Sequence, residues 1–235
     1  MEAIVVEADG ARLHVGVTGT GADVVVLSGG PGCVHYLEKD ELAPRGTRTW
    51  FPEPRGGGRS TGSAHDMEQA ITDLEAVRRA AGVDRWVVLG HSWGCELGTR
   101  YAVEHPTSVA GVIGVAGTGP QRDRTWSAAY EAAKSGEPVI DIPWVPQVHA
   151  ALLASFNNWI HSRRLWRDLA DCPVPMHFVA AADDVRPSWP LEQLADLLPK
   201  GSFEVVPNVP HDFWSTHPTV WTDVVSRACA EIAEP

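Results

Sequence analysis

The chain has 235 residues, 44% hydrophobic and 21% charged, which fits one folded domain and excludes a disordered polypeptide. Its 30 acidic residues against 19 basic ones leave a formal charge of −11, which excludes nucleic-acid binding through basic patches and docking to anionic lipid. No apolar run approaches the ~20 residues of a membrane span. The first 17 residues lack a basic start and an apolar signal core, so a cytoplasmic location is expected.

The first two apolar runs, 3–8 and 12–18, flank Asp9-Gly10, a hairpin turn signal. Residues 23–29 form a continuous apolar run, as a strand buried on both faces should. A helix is expected around 36–43 and a strand at 47–51. Met67, Ala70, Ile71, Leu74 and Val77 then recur at helical spacing, and Gly82 ends that helix. Residues 85–90 read as the next buried strand, 93–105 as a helix stopped before Pro106, and 109–117 as a strand. Residues 119–172 break the rhythm, with helical tendency, many Trp and Arg, and prolines at 138, 143 and 146. Alternation resumes with a strand at 174–181, a helix at 190–198, a strand at 203–206 and a last helix at 218–232. A hairpin followed by β-α-β-α units implies an α/β fold with a largely parallel sheet covered on both faces. Residues 1–118 and 173–235 then form the core, and 119–172 a short helical cap inserted over one end of the sheet.

Gly90-His91-Ser92-Trp93-Gly94 matches G-x-S-x-G between a strand and a helix. A turn that sharp lifts the Ser92 hydroxyl to the carboxyl edge of the sheet, where open α/β sheets bind ligands. A serine hydroxyl needs a base to become a nucleophile. His211 lies in the loop just past the last strand, where catalytic groups are placed; His217 is its nearest rival, His177 sits within a strand, and His91 supports the elbow by packing or hydrogen bonding. The base needs a carboxylate to hold its tautomer, and Asp183 and Asp184 both follow the strand at 174–181. An acyl-transfer site also needs oxyanion donors. Ser28-Gly29-Gly30-Pro31-Gly32 follows the strand at 23–29; Pro31 has no N–H, which leaves Gly30 as one donor and the N–H of Trp93 as the second.

Four cysteines, at 33, 95, 172 and 229, have no zinc spacing and read as free thiols. No metal or organic cofactor is implied. The chain holds ten tryptophans, and Trp126, Trp144, Trp159 and Trp166 crowd into the middle segment. They serve either as core or as an aromatic wall around an apolar ligand, and they are expected to line the pocket above Ser92.

These motifs resemble the α/β-hydrolase superfamily and, within it, the proline iminopeptidase group, which shows HGGPG, D-x-R-G-x-G-x-S and G-x-S-W-G. The matching stretches here are Ser28–Gly32, Glu53–Ser60 and Gly90–Gly94, with Ser28 in place of the family histidine and Glu53 in place of its aspartate. The resemblance covers about residues 10–118 and 174–235, and the order Ser, Asp, His is that of the fold. The family acid lies in G-x-x-D-x-x-x-P, matched by Ala180, Asp183 and Pro187, which implies Asp183 rather than Asp184. The insertion is about half the length of that family's cap, which supplies the acids that hold a substrate's free amine. Trp126, Tyr130 and Glu131 loosely resemble its aromatic-acidic pattern, and Glu137 and Asp141 are further amine anchors to test.

The expected activity is that of a serine hydrolase cleaving an ester, thioester or lactone of a small apolar substrate, with Ser92, His211 and Asp183 as triad. An aminopeptidase acting on an N-terminal residue is the alternative, and a non-hydrolytic lyase or ligand-binding member of the fold a second one.

Overall fold

The computed structural model describes residues 1–121 and 123–233. Eight strands form one sheet in the order β1-β2-β4-β3-β5-β6-β7-β8. In chain order these are β1 (Glu2–Ala8), β2 (Ala11–Gly19), β3 (Ala22–Leu27), β4 (Thr47–Pro52), β5 (Trp86–His91), β6 (Val109–Val115), β7 (Met176–Ala181) and β8 (Gly201–Val206). The β1–β2 and β2–β4 pairs are antiparallel and all others are parallel. The hairpin turns at Asp9 and Gly10, with φ of 39° and 73°, the left-handed pair that a tight two-residue connection requires.

The helices are α1 (Met67–Ala80), α2 (Trp93–Glu104), α3 (Arg124–Ala133), α4 (Pro146–Ile160), α5 (Leu165–Ala170), α6 (Trp189–Leu197), α7 (Phe213–Thr216) and α8 (Pro218–Ala233). Asp66 caps α1 by accepting the Gln69 N–H, and Gly82, at φ 66°, follows its end. The central strands are buried on both faces because helices cover each side. Val25, Val88, Val112 and Phe178 face the cluster packed by α1 and α2, while Val24, Leu89, Ile113 and Val179 face the one packed by α8. The helix expected around 36–43 is absent; a single 3₁₀ turn spans Asp40–Leu42. Residues 34–38 instead spend their polar groups on tertiary partners. The His35 N–H donates to Glu53, and the His35 ring donates to the Val26 carbonyl.

Helices α3, α4 and α5 all lie between β6 and β7. This insertion is tied down over the loops at the carboxyl ends of the strands. Val145 donates its N–H to the Gly32 carbonyl, Val34 donates to Pro143, and the His149 Nδ1–H points at the Gly30 and Pro31 carbonyls at 2.9 Å each. None of the four cysteines is disulfide-bonded. Among the described residues no helix is long and apolar enough to cross a membrane.

The β5–α2 crossing is the tightest point of the core. A Cβ on Gly90 would strike the Gly94 carbonyl, and one on Gly94 would strike the Leu27 carbonyl, backbone in both cases. Gly94→Ala should therefore lower unfolding free energy by roughly 1–3 kcal/mol through overpacking. Gly82→Ala meets open space and should cost only the left-handed strain, ~1 kcal/mol. Urea unfolding of the two variants checks the order; equal losses would contradict it.

Candidate active site

Ser92 sits between β5 and α2 at φ 52°, ψ −125°. A non-glycine residue in that region stores strain on the order of 1–3 kcal/mol, and it is held here by surrounding structure. The Ser92 N–H donates to the Val115 carbonyl of β6 at 2.8 Å, and the glycines at 90 and 94 let strand and helix close on each other. Gly29 abuts it from the other side: a Cβ there would lie 2.6 Å from Ser92 Cβ. The strand-turn-helix thus holds Ser92 half-buried at the sheet's carboxyl edge, against the loop after β3.

His211 lies in the loop after β8 and is buried. Its Nδ1 is 2.6 Å from Oδ2 of Asp184. This corrects the expectation that Asp183 is the partner. The turn after β7 is closed by the Asp184 N–H donating to the Ala181 carbonyl, while the Asp183 N–H donates to Val209. That geometry aims the Asp184 side chain inward, only 6% exposed, and leaves Asp183 in solvent. The other oxygen of Asp184 accepts from the Arg186 N–H at 2.9 Å and lies 3.2 Å from its guanidinium. Burial raises the pKa of this carboxyl, but the hydrogen bonds and charges of His211 and Arg186 outweigh it, so Asp184 is held below the usual carboxylate range.

Gly30, at φ 105°, turns the loop after β3, and a side chain there would strike Cys33. The Gly29 N–H is taken by the Tyr36 hydroxyl at 2.7 Å. Pro31 has none, and the Gly30 N–H follows directly on Gly29, which abuts Ser92. Trp93 opens α2, so its N–H has no partner within the helix. Rival histidines are placed elsewhere. His177 bridges Ser202 and Glu204 across the sheet, and His217 is exposed between α7 and α8. His91, Nδ1 on Tyr36 and Nε2 on the His211 carbonyl, props the site from below.

The four cap tryptophans do not form one wall. Trp126 is buried and donates to the Pro187 carbonyl. Trp159 packs toward Cys95, Thr99 and Leu194 behind α2. Trp144 and Trp166 are 53% and 43% exposed. Amphipathic helices turn a large aromatic to whichever face has room, and spacing alone does not say which. A cavity of about 60 Å³ lies behind Trp93, walled by Leu13, Leu74, Leu97 and Leu152 together with Arg55 and Asp73; neither Ser92 nor His211 lines it.

Candidate amine anchors in the cap are engaged otherwise. Glu131 pairs with Lys134 on the surface, Asp141 is exposed, and Glu137 lies 2.6 Å from the Arg186 guanidinium. No motif in the sequence marks Arg186, which joins the cap to Asp184 and stands over the Tyr130 ring at 5.2 Å. No local pattern marks Tyr36 either, since its partner His91 is 55 residues away. His91, His211 and Asp212 bring metal-type ligand atoms within 4.8 Å of one another. Both nitrogens of His91 are already hydrogen-bonded, so this donor set does not fit a metal ion.

Residues 24–138 match the family model for the alpha/beta hydrolase fold. A probable proline iminopeptidase of Streptomyces coelicolor is 37% identical over 111 residues, 40% of this chain; the match spans only 32% of that relative's length. Two solved structures superpose on nearly the whole chain. The proline iminopeptidase of Mycobacterium smegmatis does so with TM-score 0.76 at 19% identity, covering 98% of each chain. A thermophilic esterase from Thermogutta terrifontis does so with TM-score 0.77 at 18% identity, covering 99% of each. Sheet order, elbow, family match and superpositions agree: the chain has the α/β-hydrolase fold.

Proposed function

We propose that the chain is a serine hydrolase that cleaves an ester, thioester or lactone of a small apolar substrate through an acyl-enzyme. The observation that carries this reading is the His211–Asp184 hydrogen bond of 2.6 Å in the loops beside the strained Ser92 elbow. With Nδ1–H donated to Asp184, His211 keeps Nε2 free to take the Ser92 proton. Ser92 attacks the carbonyl carbon, and the N–H groups of Gly30 and Trp93 receive the oxyanion, aided by the positive end of α2. His211 then returns its proton to the leaving alkoxide or thiolate, and the same base activates the water that releases the acid. Asp184 stays ionised throughout and stabilises the imidazolium.

The engaged or exposed state of Glu131, Glu137 and Asp141 speaks against a buried ammonium, which is costly to desolvate without a facing carboxylate. The partial match to proline iminopeptidases supports the second reading, an aminopeptidase. Methyl cyclopentanecarboxylate and proline methyl ester separate the two, because they share a five-membered ring and a scissile ester and differ in the ring amine. Each kcat/KM is divided by the substrate's own rate with hydroxide. The expected result is a higher ratio for the cyclopentane ester. A tenfold preference for the proline ester, ~1.4 kcal/mol of amine recognition, would establish the aminopeptidase instead.

A further inference from the structure

We infer that Tyr36 and His91 form a positioning relay that locks the oxyanion loop to the loop carrying the base; this rests on the serine-hydrolase reading. The relay has three links. The Gly29 N–H donates to the Tyr36 hydroxyl oxygen at 2.7 Å, Tyr36 Oη is 2.6 Å from His91 Nδ1, and His91 Nε2 is 3.1 Å from the His211 carbonyl. The carbonyl can only accept, so the His91 proton resides on Nε2. In the neutral ring Nδ1 is then an acceptor, and the Tyr36 O–H must donate to it. That leaves the Tyr36 oxygen to accept from Gly29. Each donor has one acceptor, and the direction of every bond is fixed.

The rings are held as firmly as the bonds. Tyr36 stacks on Trp214 of α7 at 4.8 Å, and His91 meets Trp221 of α8 edge-on at 5.7 Å. The relay therefore joins the loops after β3, β5 and β8. Gly29 touches both ends of the problem, since a Cβ there would lie 2.6 Å from Ser92 Cβ and 2.6 Å from Tyr36 Oη. A shift of the Tyr36 hydroxyl is thus a shift of the peptide next to Gly30.

The relay also governs charge. His91 and His211 have ring centroids 5.0 Å apart. The charged or titratable groups facing His91 are Tyr36 from the loop after β3, Asp184 from that after β7, and His211 and Asp212 from that after β8; α8 packs Trp221 against it. Burial, followed by the charge of His211, pushes the His91 pKa below the ordinary histidine range, and the two aspartates oppose this less strongly. A neutral His91 leaves His211 free to become the only imidazolium at the site. Removing the Tyr36 hydroxyl frees the Nδ1 lone pair, so His91 takes a proton at a higher pH than before. A second cation then opposes the one that catalysis needs.

The test compares wild type, Tyr36→Phe, His91→Leu, the double variant and Ser92→Ala, with a short ester from pH 4.5 to 9. Tyr36→Phe should lower kcat on the order of 10–100-fold through misplacement of the oxyanion donors, with KM changed far less. Its acidic limb of kcat/KM should move to higher pH. In the His91→Leu background the Tyr36 substitution should move that limb no further. A merely structural tyrosine would scale activity down at all pH values and leave the limb in place, which overturns the relay, as does a folded Tyr36→Phe with unchanged kcat beside an inactive Ser92→Ala. Nitrogen-15 NMR of the wild-type histidines gives a readout independent of turnover. The relay requires His91 to carry its proton on Nε2, and an Nδ1–H tautomer would overturn it even if Ser92→Ala stayed active and the hydrolase reading fell.

Discussion

Ser92→Ala is expected to lower turnover on the order of 10⁴-fold or more while leaving the protein folded. The folding half of that expectation follows from the elbow. Alanine keeps the Cβ that packs on Gly29, keeps the N–H bonded to Val115, and tolerates φ 52° no worse than serine does. Only the hydroxyl is lost, and with it the atom that forms the acyl-enzyme. Intact mass after treatment with a serine-directed fluorophosphonate checks the chemical half: wild type should gain one adduct and the variant none. Labelling that persists in Ser92→Ala would place the nucleophile on another residue.

Much of the fold was legible because the signals are local. Residues 24–27 and 86–90 are continuous apolar runs, and the structure buries both strands against helices on each face. The α1 pattern, from Met67 to Val77 and closed by Gly82, depends on spacing within one helix. Features set by distant partners were not legible. Residues 36–43 look helical by composition, yet His35 and Tyr36 are drawn to Val26 and His91, and only a 3₁₀ turn forms. Helix α7 has four residues, too few for any periodicity to show.

The candidate site divides along the same line. Ser92 and His211 stand at strand ends that sequence order alone locates. The candidate oxyanion loop announces itself through three glycines and a proline. The cap does not, because helix faces there are chosen by tertiary contact: Trp159 turns behind α2, while Arg186, in the loop two strands on from Ser92, reaches up to Glu137. Ser28–Gly32 and Val145–His149 are interlocked by backbone and His149 hydrogen bonds, so cap and oxyanion loop are positioned together.

The two neighbouring aspartates give the second large effect. Asp184→Asn should lower kcat/KM by roughly 10²–10⁴-fold. The size follows from which way the new amide must point. Its oxygen is claimed by the Arg186 N–H and guanidinium, both of which can only donate. Its NH₂ is therefore turned toward His211, where Oδ2 of Asp184 now accepts at 2.6 Å. An amide donor facing Nδ1 forces the imidazole proton onto Nε2, the nitrogen that must receive the Ser92 proton. The base is then lost although every contact survives, so thermal stability should change little compared with activity. Asp183→Asn alters an exposed side chain whose backbone N–H remains on Val209, and its kcat/KM should stay within about twofold of wild type. Steady-state kinetics on the two variants with one ester substrate decide the matter, because the substitutions are chemically identical and one residue apart. Should Asp183→Asn prove the more damaging, the carboxylate that orients His211 during turnover would be Asp183, and the turn after β7 would have to rearrange on substrate binding.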